Sequence, residues 1–256
     1  QEIKSSQQPT GTISRNAEEI SSDSISPDGK FLAGTNTDNS VEIINISDDF
    51  KTLAEEKKII LRGHKAPINS IKFSHESRTL ASASSDKTIK IWDISNGTEI
   101  KTFTGHQDKV FSVSYSKDGK YLLSGGKDNL LKVWEIATGK EIQNIVSHID
   151  SVNSVAYSND GKFFASASSD KTIKIFDAEN FSLIKTLKGH TNKVNSIAFS
   201  PDNKFILSGS SDKTGRIWDI FTGKEIKSFK NDAEILSVVF NPDNKSQISP
   251  YFIFFY

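Results

Sequence analysis

The sequence has no cysteine and no methionine. Without cysteine there are no disulfides, zinc–thiolate centres or thiol nucleophiles, a composition suited to a reducing, intracellular compartment, with the cytoplasm expected. The missing methionine extends to position 1, so a piece of something longer is the expected reading. No apolar run approaches the roughly 18 residues that a membrane helix needs. The first sixteen residues, Gln1 to Asn16, are polar and lack the apolar core of a secretory signal. No membrane partner is expected. The sequons at Asn45, Asn96, Asn180 and Asn244 read as chance in a chain rich in Ser and Asn.

Net charge is missing as well. Thirty-two Lys and Arg balance 32 Asp and Glu, which leaves no global field to gather nucleic acid or an anionic membrane. No GxGxxG, P-loop, HExxH or GxSxG pattern occurs, so no cofactor is expected and a small-molecule ligand is not either. With 35% apolar, 10% aromatic and 25% charged residues, the composition is that of an ordinary, rather polar globular domain.

What the chain does have is a period. Histidines stand at His64, His106, His148 and His190, each 42 residues after the last. Trp92, Trp134, Phe176 and Trp218 keep the same step, as do Asp86, Asp128, Asp170 and Asp212. A fixed period of this size decides architecture. Within one unit, Ser151 to Lys188, apolar and β-branched residues alternate in four short runs separated by turn residues such as Asp160-Gly161. Asp28-Gly29, Asp118-Gly119, Asn96-Gly97 and Thr138-Gly139 mark equivalent joints, where Gly and Asn tolerate the positive φ of tight hairpins.

Each unit therefore reads as a four-stranded antiparallel meander. Both of its faces are apolar: Ile173 and Ile175 lie on one, Phe176 on the other. Radial stacking buries both faces at once. The expected fold is all-β: a β-propeller of five full blades plus an incomplete sixth. The boundaries are 1–16 for an N-terminal segment, 17–245 for the propeller and 246–256 for an irregular hydrophobic tail. Glu2 to Ser5 resembles the fourth strand at Glu225 to Ser228 and is a candidate closing strand. The sixth blade is expected to begin with Glu234 to Phe240 and the turn NPDNK.

Gly105-His106 and Gly189-His190, the closing pairs Trp92-Asp93 and Trp218-Asp219, and the stretch SSDKTIKIWD ending at Asp93 resemble the WD repeat. The resemblance covers roughly residues 17 to 245, and the seven blades of most propellers in that family imply that this chain is truncated from a seven-bladed parent. It implies a buried hydrogen-bond chain of His, Ser, Asp and Trp in each blade: His64, Ser82, Asp86 and Trp92; His106, Ser124, Asp128 and Trp134; His190, Ser208, Asp212 and Trp218. The fourth set is His148, Ser166, Asp170 and Phe176. The serine four places before the Asp is chosen because the position two places before is Gly126 in one unit.

Two sharper readings, a metal site and a Ser-His-Asp hydrolase, fail on repetition. One His per sheet keeps the imidazoles too far apart to share an ion at about 2 Å, and a triad occurs once. No metal, catalytic or cofactor-binding residue is expected.

The units also depart from the pattern. Phe176 replaces Trp, Ser147-His148 replaces Gly-His, Glu135 stands where Asp93 and Asp219 do, and Gly215 removes a side chain found at Ile89, Leu131 and Ile173. The first unit carries Asp38 at the turn but Asn16 and Ile44 at the His and Trp positions. It also holds a charged insertion between Asp49 and Lys58, expected as a solvated loop.

The resemblance further implies docking at the rim around the narrow end of the channel. Carried onto this sequence, the rim is Pro67, Asn69 and Ser85; Lys109, Phe111 and Lys127; Ser151, Asn153 and Ser169; Lys193, Asn195 and Ser211. Phe111, where the other units have Asn, is the expected hot spot for a protein or peptide partner. The rim lysines 109, 127 and 193 make a weaker case for nucleic acid. A non-catalytic scaffold or adaptor is the expected function.

Overall fold

The computed structural model describes residues 23–46 and 58–240. The N-terminal segment with its closing strand, Asn16, the insertion as far as residue 57, the turn NPDNK and the tail with YFIFFY lie outside the described residues.

The described residues hold five four-stranded antiparallel sheets and no helix. Blade 1 is β1 (Asp23–Ile25), β2 (Phe31–Thr35), β3 (Val41–Asn45) and β4 (Ile59–Leu61). Blade 2 is β5 (Ile68–Phe73), β6 (Thr79–Ser84), β7 (Thr88–Asp93) and β8 (Glu99–Thr104). Blade 3 is β9 (Val110–Tyr115), β10 (Tyr121–Gly126), β11 (Leu130–Glu135) and β12 (Glu141–Val146). Blade 4 is β13 (Val152–Tyr157), β14 (Phe163–Ser168), β15 (Thr172–Asp177) and β16 (Leu183–Lys188). Blade 5 is β17 (Val194–Phe199), β18 (Phe205–Ser210), β19 (Thr214–Asp219) and β20 (Glu225–Lys230). In every blade the strands follow one another in chain order, as a meander must.

The second strand of each complete blade is buried along five of its six residues and is built from small side chains, as in Leu80-Ala-Ser-Ala-Ser of β6. Small residues are needed there because neighbouring blades press on both faces. The fourth strands β12 and β20 are mostly exposed, and each carries at least one charge, which discourages an outer edge from pairing with other chains.

The core is a series of seams between blades. Ala33, Val41, Ile43 and Leu61 of blade 1 pack on Ile68, Ile71, Phe73, Leu80 and Trp92 of blade 2. Equivalent clusters join blades 2 and 3, 3 and 4, and 4 and 5. Each buried Val, Leu, Ile or Phe contributes about 1.5–3 kcal/mol, so the seams outweigh any surface ion pair. Among the described residues no core cluster joins blade 5 to blade 1.

The far face of blade 5 is covered instead by residues 234–240. Ile235 and Val238 pack on Leu207 and Ile217. The Val238 N–H donates to Ser196 Oγ at 3.2 Å, as Val113 donates to Ser70, Val155 to Ser112 and Ile197 to Ser154. The segment therefore occupies the place of a sixth blade's first strand, yet it forms no strand, because the described residues give it no second strand to pair with. Opposite Gly215, the cross-strand residue Phe229 fills toward the same cluster.

Candidate functional site

The turns between second and third strands, and the connections that lead from one blade to the next, share one end of the fold. Beneath them lie the four tetrads. In blade 3, Trp134 Nε1 donates to Ser124 Oγ at 2.8 Å, Ser124 Oγ lies 2.7 Å from His106 Nε2, and His106 Nδ1 lies 2.8 Å from Asp128 Oδ2. Blades 2 and 5 repeat this with Trp92, Ser82, His64 and Asp86, and with Trp218, Ser208, His190 and Asp212. Blade 4 has the His148–Ser166 and His148–Asp170 contacts, while Phe176 has no N–H to give.

The donor order follows from the chemistry. An indole only donates and a carboxylate only accepts. Each imidazole therefore gives its Nδ1–H to the Asp, and in this tautomer a neutral ring accepts the serine hydroxyl at Nε2.

Charge follows the same logic. Burial lowers the affinity of His148 and His190 for a proton, and it prevails over the opposing pull of Asp170 and Asp212. Burial would raise the carboxyls of Asp86, Asp128, Asp170 and Asp212, but hydrogen bonds from the histidines, backbone N–H groups and, in three blades, a threonine hold all four below the usual carboxylate range. The histidine side chains are at most 1% exposed. No three His, Asp or Glu among the described residues are grouped to hold a metal ion.

Above the tetrads, the rim asparagines are already engaged. Asn69 Nδ2 donates to Ser85 Oγ at 3.0 Å and to the Val110 carbonyl of the next blade at 2.7 Å. Asn153 does the same with Ser169 and Val194, and Asn195 with Ser211 and Ile235. These amides are staples between blades, so less of their hydrogen-bonding capacity is open to a partner than their polarity suggests. Pro67 and Lys193 are exposed, and Ser151 is half-buried.

Blade 3 differs. Phe111 and Lys127 stand where blades 2, 4 and 5 have an Asn–Ser pair, and Gly126-Lys-Asp-Asn-Leu130 replaces the Ser-Ser-Asp-Lys-Thr of residues 84–88, 168–172 and 210–214. Phe111 is half-buried; Lys109 and Lys127 are exposed. Lys127 Nζ lies 3.7 Å from Asp108, and its N–H donates to the Lys109 carbonyl.

The whole seam between blades 3 and 4 follows suit. At the opposite end, Lys101 reaches the Ile136 and Ala137 carbonyls across Gly139, and Lys185 reaches the Phe221 carbonyl across Gly223. At the 3–4 seam the corresponding pair is Gln143 and Phe181, and Phe181 packs into the seam. Phe164 and Phe176 stack in its middle, 4.8 Å apart and 8° from parallel. Of these phenylalanines the sequence singles out Phe176 alone, since each belongs to a different position of the period; only the packing unites them.

Four stretches, residues 55–93, 97–135, 139–177 and 181–219, match the profile described as WD domain, G-beta repeat. Each takes in the outer strand of one blade and ends with the third strand of the next. Over 79 residues the chain is 38% identical to the COMPASS component SWD3 of Saccharomyces cerevisiae, covering 31% of this chain and 23% of that protein. It is 33% identical over 101 residues to the U3 small nucleolar RNA-associated protein 15 homolog of Xenopus laevis, covering 38% and 18%. It is 41% identical over 58 residues to the Lissencephaly-1 homolog 1 of Paramecium tetraurelia, covering 23% and 14%. The matches thus span less than a quarter of the length of each of these relatives.

Proposed function

The chain belongs to the WD-repeat family, and from that premise we propose that it is a non-catalytic scaffold or adaptor that binds other proteins or peptides at the rim above its tetrads. One observation carries the reading. Among the described residues, the repeated constellation that could do chemistry is consumed within the blades, its imidazoles 0 or 1% exposed and each bonded on both ring nitrogens. Function then falls to the surface. One relative, the COMPASS component SWD3, is by its name a part of an assembly, which supports the same role here.

Within the rim, Phe111 between Lys109 and Lys127 is the proposed anchor, with Pro67, Asn69, Ser85, Ser151, Asn153, Ser169, Lys193, Asn195 and Ser211 as surrounding contacts. Aromatic side chains carry a disproportionate share of binding energy.

The test is a quantitative pull-down with the intact chain and with Phe111→Ala, each checked by thermal melting. Partners that drop out with Phe111→Ala while the melt is unchanged support the reading; full recovery by the variant moves binding off this rim. Salt-dependent retention on DNA or RNA, lost with Lys109, Lys127 and Lys193, would favour nucleic acid over protein.

A further inference from the structure

We infer that the rim above the seam between blades 3 and 4 is a peptide site, and that it takes a segment carrying one apolar side chain close to a carboxylate. This rests on the reading of the rim as a docking surface and adds a place and a chemistry to it.

The place follows from what the seam lacks. At three seams an asparagine amide donates to the first-strand carbonyl of the following blade, that of Val110, Val194 or Ile235. At the 3–4 seam the corresponding carbonyl belongs to Val152, and the residue facing it across the seam, Phe111, has no donor. Val152 is fully buried, so the seam loses a staple and the pair that formed it is released to the rim. The serine that would tie the amide down is also gone, replaced by Lys127. Two positions that act as a pair elsewhere have therefore changed together, from a closed staple to an aromatic and a cation.

The chemistry follows from what surrounds them. The connection from β12 to β13 runs from the outer strand of blade 3 to the inner strand of blade 4 and so crosses this seam. It carries Ile149, 89% exposed, and starts at Val146, 78% exposed. The equivalent positions are Lys65, Gln107 and Thr191, and Thr104, Lys188 and Lys230. Apolar surface thus replaces polar surface at this one crossing.

Two cations border it. Lys109 has no acid within 4 Å among the described residues, and Lys127 has only the solvent-exposed Asp108 at 3.7 Å. Asp108 and Asp150 are the acids on the connections beside it. Asp108 accepts from the Lys109 N–H and Asp150 from the Ser151 N–H, while Asp128 is held in its tetrad. A ligand carboxylate at Lys109 therefore meets a cation that nothing else has claimed.

The experiment pans a phage-displayed random heptapeptide library on the intact chain. Selected peptides should place an apolar residue within three positions of Asp or Glu. They should bind the double variant Phe111→Asn/Lys127→Ser at least tenfold more weakly and Lys109→Glu about fivefold more weakly. The double variant restores the pair found in the other blades, so it should melt no lower than the parent. Lys109→Glu alters an exposed side chain and gives a second measurement that does not touch the seam. Enrichment of nothing, enrichment without an acid, or equal affinity for both variants overturns the inference. If binding is instead lost only with Lys193→Glu, the rim still docks peptides but this site does not; peptides indifferent to every rim variant sink both readings.

Discussion

Gly105 lies beneath the outer edge of Trp134: a Cβ added to the glycine would stand 3.0 Å from the indole Cη2. Gly63 with Trp92 and Gly189 with Trp218 show the same spacing. In blade 4 both members differ. Ser147 replaces the glycine and Phe176 the indole, and Phe164 stands where Leu80, Leu122 and Ile206 lie opposite the tryptophans. The smaller ring leaves room for the serine Cβ, and the larger Phe164 takes up the remaining volume. These three departures are one compensated change.

Phe176→Trp alone should therefore destabilise by overpacking, about 1–3 kcal/mol. The triple variant Ser147→Gly/Phe164→Leu/Phe176→Trp rebuilds the arrangement of the other blades and gives Ser166 an indole donor, worth about 1 kcal/mol. Urea midpoints for the singles and the triple should be strongly non-additive. Additive losses would show that the three positions do not share a space.

The period of His, Asp and Trp was plain in the sequence because the same side chain recurs at the same step, and the five meanders followed from it. The bridging serine was legible too, since Gly126 removes the competing candidate. The staple role of Asn69, Asn153 and Asn195 was not. Each amide spends one bond on the next blade, about 40 residues away, and nothing local records it. The aromatic seam was hidden for a related reason. Phe164, Phe176 and Phe181 sit at three unrelated positions of the repeat, and only the packing of blade 4 against blade 3 gathers them.

The tetrads give the fold a one-sided response to acid. Burial holds His148 and His190 below their ordinary proton affinity, so the unfolded chain takes up these protons first as pH falls below about 6.5. Asp86, Asp128, Asp170 and Asp212 are held below the usual carboxylate range despite burial. Their contribution is fully present above about pH 4 and is lost as pH falls through their folded values. Both groups bind fewer protons folded than unfolded, so both slopes have one sign. Urea midpoints should be level from pH 8 to 7, decline below about 6.5 and fall more steeply below about 4. A midpoint that rises on acidification from pH 7 to 5 would contradict a neutral imidazole in the tetrads.

Three of the turns above the tetrads hold a lysine in the left-handed region: Lys87 at φ 72°, Lys171 at 71° and Lys213 at 67°. Blade 3 has Asn129 there, at 67°, a residue that tolerates this conformation far better. Lys87 and Lys171 are exposed, and no bond to either Nζ ties the side chain down. Lys87→Asn and Lys171→Asn should each stabilise the fold by about 0.5–1 kcal/mol by relieving that backbone cost. Thermal melts of the two singles and the double would detect the gain. Lys213 makes a poorer site, since its Nζ donates to the Asp232 carbonyl at 3.0 Å and would lose that bond.

Gly125 sets how closely blades 3 and 4 approach. A Cβ there would stand 2.4 Å from Val152 Cγ1 and 2.9 Å from Val155 Cγ1, closer than the packing allows. Blades 2 and 4 carry Ala83 and Ala167 at this position, so their seams already accommodate the methyl group. Blade 5 carries Gly209 there, where a Cβ would stand 2.5 Å from Ile235 Cγ2, so the glycine marks a close approach at the 3–4 seam and again at the far face of blade 5. Two bonds depend on the approach, from the Val155 N–H to Ser112 Oγ at 3.0 Å and from the Tyr157 N–H to Ser114 Oγ at 3.1 Å. Gly125→Ala should cost about 1–3 kcal/mol by forcing the strands apart, and it should speed hydrogen exchange at Val155 and Tyr157 more than at Ile197 of the neighbouring seam. Ala167→Gly, which only removes a methyl from a seam built to hold it, should cost about 0.5–1 kcal/mol through backbone entropy. Equal exchange at both seams in the Gly125→Ala protein would mean that the close approach is not what holds β13 against β9.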